Sequence, residues 1–409
     1  MFALADCNNF FVSCERVFRP DLEGCPVIVL SRNDGCAIAR SNEAKALGIK
    51  MGEPLFKIQH LVHKHNIAIF SSNMSLYADF SRRVRSVLRS YTPQIEVYSI
   101  DEAFLDLRGM EYENLDTFAK HLSTDCRRLT GIPISVGVAP TKTLAKIAAQ
   151  LCKQYPKLRG GCYMHREEDI IKVLKKFPIE DVWGIGRRSA PRLKDMGVVT
   201  AFDFRSLDEQ WVRKHMGING VRTWRELHSI PSIGFEHIAQ SKQSICNSRS
   251  FATEIYAIED LTEQIAKFAA LTAEKLREQH SLCERLTIFA ATNRFHSDEL
   301  QQYGNVVIPF TTPTNSTIHI VSAAREAVGD IFTRGCGYKR AGVIASNITP
   351  IEGSLLPMFN AEQHEQHRRL MTAIDNINRS MGTNSVVIAS QGMGDVPAHS
   401  DHRSPRYTT

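Results

Sequence analysis

An apolar run that carries two adjacent acids constrains this chain more than any other stretch. VYSIDEAFLDL, Val97 to Leu107, reads as a buried strand, yet Asp101 and Glu102 sit side by side within it. Neighbouring side chains on a regular strand point to opposite faces, so one of the pair falls on the core side. An unpaired buried carboxylate costs several kcal/mol, so a compensating charge has to lie close by. A third acid, Asp6, closes the short apolar strand that begins at Met1. Three carboxylates converging on one sheet edge repel each other, and hard divalent cations with oxygen ligands remove that repulsion. A bulge or tight turn at Ser99–Glu102 would aim both members of the pair at the site of Asp6. Two Mg²⁺ ions held this way suit phosphoryl transfer. Spacing alone leaves a second reading open, in which Asp101 and Glu102 mark a hairpin turn and Asp6 starts a loop.

The rest of the chain supplies the frame. At 409 residues it exceeds one ordinary domain. Strands are expected at Met1–Asp6, Val27–Leu30 and Ile132–Ala139, and helices at Ala39–Leu47, Tyr77–Tyr91, Leu115–Leu129 and Thr141–Lys153. This alternation suggests a split β-α-β sheet with helices on one face. Residues 166–230 are helical and basic, and 231–246 have the Pro, Gly and Ser content of a linker. From Asn247 to about residue 349 the order is β-α-β-β-α-β, a self-contained small domain. Beyond it the chain is rich in His, Asn, Ser and Gly, and its last fifteen residues are expected to be mobile. No apolar run reaches 18 residues and the N-terminal stretch lacks a basic leader, so neither a membrane span nor an export signal is expected. The ten scattered cysteines then read as reduced thiols, and the chain as cytoplasmic.

Basic residues accompany the acids. Arg40 and Lys45 fall near one helix, and Lys146 and Lys153 on another, where they suit a triphosphate, although each taken alone reads as the solvated face of an amphipathic helix. In VWGIGRRSAPRLKDMGV, Gly184, Ile185 and Gly186 form a tight turn ahead of a helix, with Arg187 and Arg188 at its start. Such turns expose backbone N–H groups that hold a DNA phosphate without reading its base. The net charge of +6 is compatible with that partner. His60, His63 and His65 lack a fourth ligand at sensible spacing, and Trp183, Trp211 and Trp224 read as core.

Taken together, FALADCNNFFVSCERVF, NDGCAIARSNEAKALGIKMG, SLYADFSRRV, VYSIDEAFLDL, VGVAPTKTLAKIAA, DVWGIGRR, CNSRSF and SPRYTT make the chain similar to the Y-family translesion DNA polymerases, within them to the UmuC-type catalytic subunit of bacterial DNA polymerase V. The resemblance runs over nearly the whole length. It implies an α+β right-hand polymerase: a ferredoxin-like palm (1–10 and 75–165), small fingers (11–74), a helical thumb with a helix-hairpin-helix (166–230), a linker (231–246), a βαββαβ little finger (247–349) and a partly disordered partner-binding tail (350–409).

By the same resemblance Asp6, Asp101 and Glu102 bind two Mg²⁺ ions with the backbone carbonyl of Cys7. Phe11 takes the steric-gate position beneath the nucleotide sugar, with Phe10 beside it. Lys45 and Lys153 match triphosphate contacts, joined by Arg40. Lys45 stands where many members carry Arg, which exchanges a bidentate fork for a point charge. LLPMF (Leu355, Leu356, Met358, Phe359) keeps the apolar anchors of a sliding-clamp motif without its Gln. The implied activity is error-prone, SOS-induced insertion of dNTPs on a primer-template DNA, without a proofreading exonuclease. The implied partners are a cleaved UmuD-type dimer, a RecA filament and the sliding clamp. Two rivals keep the same residues: a two-metal nuclease or nucleotidyl cyclase, which has no use for an aromatic at Phe11, and a DNA-binding accessory protein, which has no use for the acids.

Overall fold

The computed structural model describes residues 1–110, 114–236, 240–296, 298, 300–352, 361–392 and 399–408. It divides into two compact units, Met1–Ala239 with Ser400–Thr409, and Gln240–His399.

The first unit is built on β1 (Phe2–Cys7) and α1 (Phe10–Phe18), followed by β2 (Val27–Leu30), β3 (Ala37–Arg40), α2 (Asn42–Ala46), α3 (Leu55–His65) and β4 (Ala68–Ser71). Next come α4 (Met74–Tyr91), β5 (Ile95–Val97), β6 (Glu102–Asp106), α5 (Leu115–Thr130), β7 (Ile134–Ala139), α6 (Lys142–Gln154) and β8 (Gly161–Tyr163). Five strands form one sheet in the order β5-β6-β1-β7-β8, with β1 antiparallel to both neighbours, and β3-β2-β4 form a second, smaller sheet. Helices α7 (Glu167–Leu174), α8 (Ser189–Asp195), α9 (Ala201–Arg205) and α10 (Glu209–Leu227) complete the unit.

Three sequence expectations change here. Val97–Leu107 is a hairpin rather than one strand: β5 ends at Val97 and β6 starts at Glu102. Ala39 and Arg40 belong to β3, paired with Val29 and Ile28, and the helix starts only after Ser41, whose Oγ accepts from Ala44 N. A side-chain cap and a sheet partner thus override the alanine-rich propensity for helix. Helices also cover both faces of the large sheet. Ala3, Ala5, Leu105, Val136 and Val138 pack with α1, α4 and α5, while Leu4, Phe104 and Ala139 pack with α6 and the helices that follow. The strands are buried on both sides, so their sequences show no alternation from which one covered face could be read. Gly137 marks how closely α6 approaches, since a Cβ there would lie 2.2 Å from Ala145 O and Ala149 N.

The second unit contains β9 (Ile245–Ile255), α11 (Ile258–Glu278), β10 (Ser281–Thr292), β11 (Tyr303–Thr314), α12 (Thr317–Glu326), α13 (Val328–Ile331) and β12 (Tyr338–Pro350). Its sheet runs β11-β10-β12-β9, antiparallel throughout, which is the expected βαββαβ order. A further helix, α14 (Ala361–Met381), belongs to the same unit. Asp375 on α14 accepts two bonds of 2.7 Å from the Arg277 guanidinium of α11, and Met371 is buried.

The expectation of mobile terminal residues is also corrected. Residues 400–408 pack within the first unit, where Ser71 N donates to His402 O at 3.0 Å and Ser404 is buried. Polar composition suggested solvation; contacts remote in sequence supply the order instead.

Candidate active site

Local chemistry at the β5–β6 turn sets the acids in place. Ser99 Oγ accepts from the amides of Asp101 at 3.2 Å and Glu102 at 3.0 Å, and donates to Asp101 Oδ1 at 2.5 Å. This hydroxyl takes the place of ladder partners, so the chain reverses at Ser99 and the two acids stand at the hairpin tip. Asp6 is directly opposite Glu102 in the β1–β6 register, and Cys7 N donates to Asp101 O at 2.9 Å. Opposed Cα atoms in such a pair are about 4.5–5.5 Å apart. The turn and the convergence of acids, separate readings of the sequence, are one feature.

Each acid has its own partner. Asp6 Oδ2 accepts from Lys153 Nζ at 2.6 Å, and both oxygens of Glu102 accept from Lys146 Nζ at 2.9 and 2.8 Å. Burial raises the Asp6 carboxyl from 3.8 to about 6, against the pull of Lys153 and with the charges of Glu102 and Asp101 adding to the rise. Among the described residues no group of three or more His, Cys, Asp or Glu is arranged to hold a metal as the side chains stand. The donor set nevertheless fits a hard divalent cation: all oxygen, adjacent in register, and electrostatically unfavourable for Asp6 in its charged form. To seat one, the Asp6 and Glu102 carboxylates would turn from Lys153 and Lys146.

The triphosphate candidates gather beside Asp6. Lys45 is pushed below the ordinary lysine range first by burial, then by the charges of Arg40 and Lys153, with Asp6 opposing. Lys45 Nζ donates to Asn9 Oδ1 at 2.6 Å, and Arg40 donates to Ile49 O at 2.7 Å. Phe10 is buried at the start of α1, and the half-buried Phe11 ring lies flat on Tyr77, centroids 4.4 Å apart at 14°.

The roles of Lys146 and Tyr77 were not read from the sequence as partners of Glu102 and Phe11. A signal for Lys146 was present: Lys142, Lys146 and Lys153 fall at i, i+4 and i+11, one stripe of a helix. The Lys146 ammonium also lies over aromatic rings, 4.7 Å from the Tyr98 centroid and 5.5 Å from that of Trp183. Trp183 therefore belongs to this neighbourhood as well as to the adjoining core.

At the glycine turn, Gly184 has φ +93°, and a side chain there would meet Thr223 Oγ1 at 2.4 Å. Gly184, Gly186, Arg187 and Arg188 are exposed. Ile185 departs from its expected role: its side chain is buried and its amide donates to Val182 O at 2.9 Å. An anchoring residue thus separates the two exposed glycines. His60 and His63 are exposed on α3, and Trp211 and Trp224 pack into the helical core. Leu355, Leu356, Met358 and Phe359 lie outside the described residues.

Comparison with known proteins gives the family and the fold. Residues 5–150 match the impB/mucB/samB family, 242–357 its C-terminal domain and 167–198 its HHH motif, while 368–409 match a domain of unknown function, DUF4113. Protein UmuC of Salmonella typhimurium is 38% identical, covering 100% of this chain and 98% of its own. Protein MucB of Escherichia coli is 36% identical over 100% and 97%. Among solved structures, a Y-family DNA polymerase chimera of Dbh and Dpo4 superposes with a TM-score of 0.68, at 23% identity, over 86% of this chain and all of that one. An insertion ternary complex of Dbh DNA polymerase gives 0.56 with the same identity and coverage. The fold is that of a right-hand Y-family polymerase, and the chain belongs to the impB/mucB/samB family, the UmuC-type branch of the Y-family DNA polymerases.

Proposed function

We propose that Asp6, Asp101, Glu102 and the Cys7 carbonyl hold two Mg²⁺ ions in an enzyme that extends a DNA primer past damaged template bases. Dependence on a divalent metal is a property of the fold family; the number of ions and their ligands belong to this reading. The observation that carries it is the pairing of Asp6 with Glu102, with Asp101 tied through its carbonyl to Cys7. When bound, magnesium lowers the pKa of an attacking hydroxyl and neutralises charge on phosphate.

The chain's own residues do the remaining work. Arg40, Lys45 and Lys153 form a cationic wall for the triphosphate, with Lys153 passing from Asp6 to phosphate. Phe11 presents a ring where a ribose 2′-OH would collide, which is selection by repulsion. In this reading residues 1–10 and 75–165 are the palm, 11–74 the fingers, 166–230 the thumb and 247–349 the little finger. Gly184 and Gly186 offer backbone to a DNA phosphate and Arg187 and Arg188 add charge. A UmuD-type dimer, a RecA filament and a sliding clamp are partners carried by family likeness, as is action in the cytoplasm; no helix among the described residues is long and apolar enough to cross a membrane.

The test is extension of a primed template containing an abasic site, first with the chain alone and then with those activators. Synthesis is expected from the wild type and none from Asp101→Asn with Glu102→Gln, while binding of primer-template persists. Synthesis by the double variant would remove the acids from the chemistry. Cleavage of DNA in place of extension would favour a nuclease.

A further inference from the structure

Residues 400–408, within the stretch that matches only a domain of unknown function, return to the unit that carries the active site. Asp401 N donates to Asp34 Oδ2 at 2.9 Å and His402 N to Ser71 Oγ at 3.0 Å. A parallel bridge between Ser71 and Arg403 lays the segment along the end of β4. Further on, the Tyr407 ring stacks on Phe18 of α1 with centroids 4.3 Å apart at 9°.

Between these two anchors lies Ser404, which is buried. Its hydroxyl accepts from Asn73 Nδ2 at 2.9 Å and donates to Glu15 Oε1 at 3.2 Å. Asn73 is the N-cap of α4, and Glu15 is a fully buried acid on α1. The same Glu15 oxygen accepts from Tyr77 OH at 2.7 Å, and the Tyr77 ring is the one stacked against Phe11. The other oxygen, Glu15 Oε2, is buried with no hydrogen-bond partner, so the carboxylate rests on the two bonds at Oε1. A continuous path therefore leads from Ser404 through Glu15 and Tyr77 to Phe11, and its hydrogen-bonded members Ser404, Glu15 and Tyr77 are all buried.

We infer that Ser404 is a positioning residue for sugar selection: its bond to Glu15 fixes Tyr77, and Tyr77 backs the Phe11 ring against which a ribose 2′-OH is excluded. The inference rests on Phe11 being the gate. A gate acts by steric contact, so a small displacement of its backing ring changes the rejection of ribonucleotides more than it changes insertion of deoxynucleotides. Removal of the Ser404 hydroxyl leaves a buried carboxylate with one donor, and the remaining Tyr77 bond has to shift to serve it.

The experiment is single-nucleotide insertion by the full-length chain with its activators, comparing kcat/KM for a dNTP and the matching rNTP opposite an undamaged base. Ser404→Ala is expected to lower the dNTP/rNTP ratio by about three- to tenfold, a fraction of one charge-assisted hydrogen bond, with kcat for the dNTP held within about twofold. Ser404→Thr keeps the hydroxyl and is expected to keep the ratio. Phe11→Ala should lower the ratio further, and adding Ser404→Ala to it should change nothing more, because both act through one ring. An unchanged ratio in Ser404→Ala, alongside a lowered one in Phe11→Ala, overturns the inference and leaves the gate standing. A ratio unmoved by Phe11→Ala removes the gate and the inference with it. A loss in Ser404→Ala that Ser404→Thr shares, or that persists in the Phe11→Ala background, shows a structural effect of the segment and also overturns it.

Discussion

Asp6 should cost the metal-free fold stability, and Asp6→Asn should return it. Its carboxyl lies at about 6 against an ordinary 3.8, with burial as the main cause and with the attraction of Lys153 already included. The unfolded chain ionises this group near 3.8 and the folded chain near 6. Between those values the folded state holds more protons, so stability falls as pH rises, and above about 6 the full difference of about 3 kcal/mol applies. Below 3.8 the group contributes nothing. The amide removes the charge but still needs partners in a half-buried place, so the expected gain at pH 8 is about 1–3 kcal/mol. In a unit of this size that is a rise in Tm of about 2–4 °C per kcal/mol. The assay is urea unfolding in EDTA followed by tryptophan fluorescence, which is specific because Trp183, Trp211 and Trp224 all lie in the unit that contains Asp6. The difference between variant and wild type should fall by about 1.4 kcal/mol between pH 8 and pH 5 and by about 2.4 kcal/mol by pH 4. Mg²⁺ in place of EDTA should narrow it at pH 8, since only the wild type gains by binding. A variant no more stable than wild type at pH 8 in EDTA, or a gain that ignores pH, refutes the reasoning.

Phe11→Ala should raise ribonucleotide insertion relative to deoxynucleotide by about ten- to a hundredfold, the range open to a steric pocket, as read in single-turnover insertion; unchanged selectivity removes the gate. Arg187→Ala with Arg188→Ala should weaken binding to any DNA sequence alike and reduce the slope of log K against log salt by about 2, measured by fluorescence anisotropy. An unchanged slope would place both exposed arginines away from phosphate.

Much of this molecule was open to reading because its information is local. The order of strands and helices follows periodicity, and the acids stand out because charge inside an apolar run has few physical explanations. The Val97–Leu107 reading failed where one side chain decides the backbone: Ser99 captures two amides and makes a hairpin of what composition marks as a strand. Ala39–Leu47 failed for a similar reason, Ser41 being both cap and break. The two-sided burial of the large sheet erased the alternation that assigns faces. The segment at Ser404 was beyond reach, because its bond to Glu15 joins residues 389 apart and polarity alone suggests water as the partner.

The charges of the site are paired only in part before any substrate arrives. Two lysines occupy two of three acids, Lys146 on Glu102 and Lys153 on Asp6, while the Asp101 carboxylate is held by the Ser99 hydroxyl. Around Lys45 the imbalance has the other sign, since Arg40 and Lys153 depress its proton affinity along with burial. The same Lys153 serves both sets and fully satisfies neither. On the proposed reading, a divalent cation held by the acids would free Lys153 and a triphosphate would hold it, so either ligand alone would remove one imbalance and expose the other. On the same reading, a metal–triphosphate complex would carry both charges at once and would answer both imbalances, with Asp6, Asp101 and Glu102 on one side and Arg40, Lys45 and Lys153 on the other.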